Sequence, residues 1–202
     1  MNYAICVSGA AAGNTVERSK EDAYAIGQAI AQSGHIITTG ATVGLPFHAA
    51  RGAHANGGKS IGFSPASSVR EHVNKYRLPI GVYDFVCYTG MNYVGRDAFL
   101  VMSSDAVITL GGRFGSLHEF TTALESHTLC GVLLGTGGAA DFIPELMQKL
   151  DAPDSAKVIF ETDAQRLVQK IVEALDKEYK GLDTTAIANG WIRNGLTGHH
   201  NG

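Results

Sequence analysis

Between Asp105 and Glu119 the chain reads Asp-Ala-Val-Ile-Thr-Leu-Gly-Gly-Arg-Phe-Gly-Ser-Leu-His-Glu. Gly111, Gly112 and Gly115 thin this stretch of side chains. Ser116 and Glu119 then stand three apart, the spacing of a helix-opening capping box. A glycine bend running into a helix leaves backbone N–H groups free at the positive end of that helix, so its natural guest is an anion such as a phosphate. Glu119 adds a carboxylate one turn further on, and Arg96 with Asp97 supply a cation and an acid a short way upstream. The glycine bend and the helix start fit a phosphate-bearing ligand.

These groups need elements to hold them. Ala106 to Leu110 is short, apolar and partly β-branched, as a buried strand is, and Phe120, Ala123 and Leu124 continue the helix. The same reading places strands at Tyr3–Ser8, His35–Thr39, Lys59–Phe63, Asp84–Tyr88, Gly131–Leu134 and Lys157–Phe160. Helices are expected over Val16–Ser33, Pro46–Asn56, Ser67–Arg77, Asn92–Met102 and Asp141–Leu150, and from a Thr162/Gln165 capping box to Tyr179. Alternating strands and helices predict an α/β, Rossmann-like open sheet of about seven mostly parallel strands with helices on both faces. The boundaries expected are one domain over residues 1–180 and a Gly- and Asn-rich tail over 181–202 carrying Trp191. Gly9, Gly40, Gly90, Gly111 and Gly135 each follow a strand directly, at the carboxyl edge where open α/β sheets bind ligands. Gly9 to Gly13 and Gly40 to Gly44 repeat one spacing of two glycines, which adds Ser8, Thr42 and Gly44 to the candidate phosphate-binding residues.

Composition narrows the field. Glycine is 25 of 202 residues, about 12% against a usual figure of about 7%. The formal charge of -3 and a charged fraction of 17% show no basic surface, so nucleic acid is not expected as a partner. No window is apolar enough for a membrane span and no basic-then-apolar leader opens the chain, so no membrane partner and a cytoplasmic location are expected. Cys6, Cys87 and Cys130 fall in apolar runs and read as buried free thiols. No His-x-His or His-Glu-x-x-His occurs, so no metal site is expected, and no lysine follows the glycines as a Walker loop requires.

From Met91 to Glu119 the chain resembles the LONELY GUY family, often labelled "lysine decarboxylase-like", within a larger group of Rossmann-like nucleotide-binding proteins that includes molybdenum-cofactor carriers. The matching residues are Arg96, Ser104-Asp105-Ala106, Gly111-Gly112, Gly115, Ser116 and Glu119. The resemblance implies a nucleoside 5'-monophosphate as small-molecule ligand, no required cofactor, a homodimer, and Arg96 with Glu119 as catalytic pair. In the active enzymes of the family the bond split is that between base and ribose. Leu110 stands where the family has Pro and Ser116 where it has Thr. The larger departure is Asp97 in place of the Lys of an Arg-Lys pair. A phosphoribohydrolase is therefore expected, with a non-catalytic nucleotide or molybdenum-cofactor carrier or sensor as the alternative. A pyridoxal-phosphate decarboxylase is disfavoured, because no lysine lies between Lys75 and Lys149 to form a Schiff base.

Each candidate also has a plainer reading. Glu119 can be a capping residue that satisfies backbone donors, and Arg96 a surface cation paired with Asp97 or Glu119. Arg113 occupies the variable position of the bend, facing phosphate or solvent. Met91 either borders the base or merely packs. Asp97 could protonate a departing base.

Overall fold

The computed structural model describes residues 1–152 and 157–182; the expected tail, with Trp191, lies almost wholly outside the described residues. Among the described residues seven parallel strands form one sheet: β1 (Ala4–Gly9), β2 (Ile36–Thr39), β3 (Lys59–Ser64), β4 (Phe85–Tyr88), β5 (Ala106–Leu110), β6 (Leu129–Leu133) and β7 (Val158–Glu161). Their spatial order is β4-β3-β2-β1-β5-β6-β7. Register runs straight through the centre, Cys6 beside Val107 and Ser8 beside Thr109. The chain winds outward from β1 to β4, then returns to the other side of β1 with β5. That reversal makes the carboxyl ends of β1 and β5 the topological switch point, where such sheets open a crevice.

Strand side chains alternate between two cores. Ile5, Val7, Ile108 and Leu110 pack with α1 (Asn14–Gln32), α2 (Leu45–Ala55) and α7 (Ala164–Glu178). Cys6, Val107, Cys130 and Val132 pack against α4 (Asn92–Met102), α5 (Phe114–Glu125) and α6 (Gly138–Lys149). Both faces being covered explains why the strands are apolar nearly throughout. Ser8, Thr38 and Thr109 break that rule on the second face, and all three are buried.

Several boundaries differ from the sequence reading, each for a local reason. The helix expected over Ser67–Arg77 is the short α3 (Val69–Asn74), because Ser68 caps it by accepting the Glu71 N–H. The Glu71 carboxylate turns back to accept from the Ser67 N–H and hydroxyl. The last helix is capped by Asp163, which accepts from the Arg166 N–H, so the Thr162/Gln165 pair is not the cap. Cys6 and Cys130 are buried free thiols, but Cys87 is only half-buried on the edge strand β4. No helix among the described residues is long and apolar enough to cross a membrane.

Candidate functional site

α5 starts three residues earlier than a capping box at Ser116 requires. Its N-cap is Arg113, in extended backbone, whose side chain makes no capping hydrogen bond among the described residues. Ser116 therefore sits inside the first turn, and Glu119 is free of any capping duty. The first-turn amides are left without a side-chain acceptor at the N-cap, the arrangement in which a helix terminus receives an anion.

These residues border a cavity of about 200 Å3 at the switch point, lined by Gly9, Ala10, Ala11, Thr42, Tyr93, Arg96, Asp97, Arg113, Gly115, Ser116 and Glu119. α4 and α5 lie side by side on the second face and bring their polar residues together beneath it. Arg96 Nε lies 3.4 Å from Asp97 Oδ1, and Arg96 Nη1 lies 3.7 Å from Glu119 Oε1. Both nitrogens are buried and neither makes a hydrogen bond among the described residues. On its far side Glu119 accepts from the Ser8 hydroxyl through Oε2. Asp97 Oδ2 is 3.0 Å from His118 Nδ1, whose ring is partly open to solvent.

Burial penalises the Glu119 carboxylate and raises its pKa from 4.5 to about 7; Asp97 raises it as well, and Arg96 and Ser8 pull only partly the other way. A carboxyl whose folded pKa is raised stabilises the protein fully below its unfolded value, and that contribution is lost as pH rises through about 7. Urea unfolding at pH 5 and pH 8 should therefore show a fall in stability that Glu119→Gln lacks, the remaining titrations being common to both proteins. Parallel pH profiles for the two would show that Glu119 ionises normally.

Of the expected site residues, Gly9, Thr42, Arg96, Arg113, Gly115, Ser116 and Glu119 line the cavity, and Ser8 holds Glu119 from behind. The others sit elsewhere. Gly111 and Gly112 brace the bend: the Gly111 N–H donates to Thr136 Oγ1, and both carbonyls accept from the start of α6, from Ala140 and Ala139 N–H. Gly40 lies behind Arg96, where an added β-carbon would fall 1.8 Å from Nη1. Gly44 packs on the Ala10–Ala11 backbone. Met91 is exposed and outside the lining. The Gly135 loop is closed by its own chain, since the Asp141 carboxylate accepts from the Gly135 and Gly137 N–H groups. Tyr93, Ala10 and Ala11 border the cavity without having been singled out. His118 is not among the expected site residues, and its contact with Asp97 brings it to the site. Among the described residues no three His, Cys, Asp or Glu side chains are grouped as a metal ion would require.

Known proteins carry the same architecture. A protein of Archaeoglobus fulgidus is 32% identical over 114 residues, 56% of this chain and 70% of that one. The molybdenum cofactor binding protein of Rippkaea orientalis is 26% identical, with a TM-score of 0.72 over 87% of this chain and 98% of that one. DNA processing protein A of Helicobacter pylori, described by its single-stranded DNA binding mode, shares the fold at 18% identity and a TM-score of 0.59, covering 85% of this chain and 81% of that one. This last likeness overturns the expectation that nucleic acid is excluded as a partner. A net charge is an average over the whole surface, and this architecture serves a DNA-binding protein, so -3 excludes nothing. The SLOG cluster4 family profile matches residues 2–168, nearly the whole sheet and its helices. With its switch-point cavity and glycine bend, the chain belongs to the SLOG cluster4 family, which shares the LONELY GUY type of nucleotide-binding fold.

Proposed function

We propose that the chain binds a nucleoside 5'-monophosphate, or a phosphate-bearing cofactor of similar size, and holds it without turnover as a carrier or sensor. The observation that carries this reading is the uncapped first turn of α5, which opens with Arg113 and Ser116 onto the switch-point cavity. A phosphate there would meet backbone N–H groups, a hydroxyl and a guanidinium. Likeness to a protein named for binding the molybdenum cofactor supports a carrier over a hydrolase.

The state of Glu119 points the same way. Stabilising an oxocarbenium-like transition state needs an ionised carboxylate, and burial, with Asp97 beside it, pushes the Glu119 carboxyl up toward its neutral form. One of its oxygens is also taken by Ser8. Asp97 further replaces the lysine of the hydrolase pattern. One observation keeps phosphoribohydrolysis as a second reading: Arg96 and Glu119 do face each other, at 3.7 Å. Incubation with AMP and with N6-prenylated AMP separates the two. Binding without free base is expected; free base above the uncatalysed rate would make the protein a hydrolase, and failure to bind any mononucleotide would end the hydrolase reading and the nucleotide form of the carrier reading.

A further inference from the structure

The cavity is asymmetric in what it offers a ligand. Its lip provides donors, from the first turn of α5 and Arg113. Its floor holds two carboxyl groups, Asp97 and Glu119, against one guanidinium whose Nε and Nη1 are sealed away from the cavity. A second anion has no place on that floor. What remains unfilled there is acceptor capacity: Asp97 has His118 at one oxygen and only the ion contact from Arg96 Nε at the other, while Ser8 already occupies one Glu119 oxygen.

We propose that Asp97, aimed by His118, is a specificity-determining residue that accepts hydrogen bonds from the ribose hydroxyls, so that the pocket selects a ribonucleotide with an intact 2',3'-diol. The proposal rests on the nucleotide reading above and adds the part of the ligand that the floor recognises. Spacing places the sugar at that depth: Ser116 at the lip and Glu119 at the floor are three residues apart on one helix, about 4.5 Å of rise, and Asp97 shares the Arg96 guanidinium with Glu119. A 5'-phosphate and the hydroxyls of the same ribose are separated on that scale. His118 is a positioning residue: its Nδ1 meets the Asp97 oxygen that faces away from Arg96, at 3.0 Å, so the carboxylate is held from both sides. A site built to bond a hydroxyl discriminates strongly against the analogue lacking it, because its buried acceptor is then left unpaired.

Calorimetric titration of the full chain with AMP, 2'-deoxy-AMP and 3'-deoxy-AMP, with base release followed in parallel, tests this. The wild type should bind AMP at least about tenfold more tightly than one or both deoxy analogues. Asp97→Asn should lower AMP affinity to the deoxy level while leaving the deoxy affinities nearly unchanged. His118→Ala should shrink the preference, and His118→Asn should restore it, since the asparagine amide can stand in for Nδ1. Equal wild-type affinity for all three ligands would overturn the proposal. So would an Asp97→Asn effect of the same size on each, which would mean that Asp97 reads the base or merely supports the fold. Should Asp97→Asn fail to fold, the wild-type preference and the two His118 variants decide. No binding of any of the three to the wild type would instead remove the nucleotide reading, and this proposal with it.

Discussion

Gly27→Ala is expected to cost about 2–3 kcal/mol of stability and to lower Tm by roughly 5–10 °C in thermal unfolding. The change looks favourable locally, since alanine in a helix interior gains about 0.5–1 kcal/mol over glycine. Tertiary packing reverses the sign. A β-carbon on Gly27 of α1 would fall 1.8 Å from the Ala49 carbonyl oxygen of α2, and one on Gly52 of α2 would fall 2.1 Å from the Tyr24 carbonyl oxygen of α1. Both obstacles are backbone, so no rotamer change relieves them and the two helices must separate. Gly52→Ala should behave alike. Gly115→Ala is the control: it also lies in a helix, but nothing stands within 4 Å of its added carbon, so it should stay within about 0.5 kcal/mol of wild type or gain slightly. A Gly27→Ala protein as stable as wild type would show that α1 and α2 are not locked together. The lock matters to the site, because the loops entering these helices supply Ala10, Ala11 and Thr42 to the cavity, and the Leu45 N–H ties them by donating to the Ala10 carbonyl.

What the sequence discloses and what it conceals divide along the range of the interaction. β5 and α4 have the bounds that their apolar runs predict, Ala106–Leu110 and Asn92–Met102, because strand burial and helix composition are local signals. The switch point follows from the alternation of elements and the glycines behind them. The start of α5 was misplaced because Ser116-x-x-Glu119 imitates a capping box, while the real N-cap, Arg113, carries no capping side chain to betray it. The convergence of Arg96 on Glu119 needs α4 and α5 to lie side by side, which no spacing between them encodes. Plugging of the Gly135 loop by Asp141, and the use of the Gly111 amide by Thr136, depend likewise on how a loop folds back. Ser8, Thr38 and Thr109 are polar residues at positions of central strands where burial on both faces predicts apolar ones, and all three point to the face that carries the site.

Gly40 leaves the space that the Arg96 guanidinium fills, and its substitution should have the largest effect on binding. Gly40→Ala is expected to weaken mononucleotide affinity by at least about 100-fold, with the protein still folded. The residue was expected to admit phosphate. Instead its missing side chain admits the Arg96 guanidinium, since an added β-carbon would fall 1.8 Å from Nη1, 2.7 Å from Cζ and 2.8 Å from Nη2. Gly40 is absent from the positive-φ residues, so its backbone accepts alanine and only the side-chain clash matters. The clash is with the end of a flexible side chain, which can swing away; the fold survives, but Asp97 and Glu119 lose their shared counter-charge. Left without it, the two carboxyl groups must take up protons or repel each other and the incoming phosphate, and either outcome dismantles the floor of the cavity. A double-mutant cycle isolates the cause. If the guanidinium is all that the new methyl displaces, Gly40→Ala together with Arg96→Ala should bind and unfold much as Arg96→Ala alone does. Fully additive effects would mean that the methyl disturbs the loop after β2 itself, and Gly40 would then contribute to the site through its backbone and not through the space it leaves for Arg96.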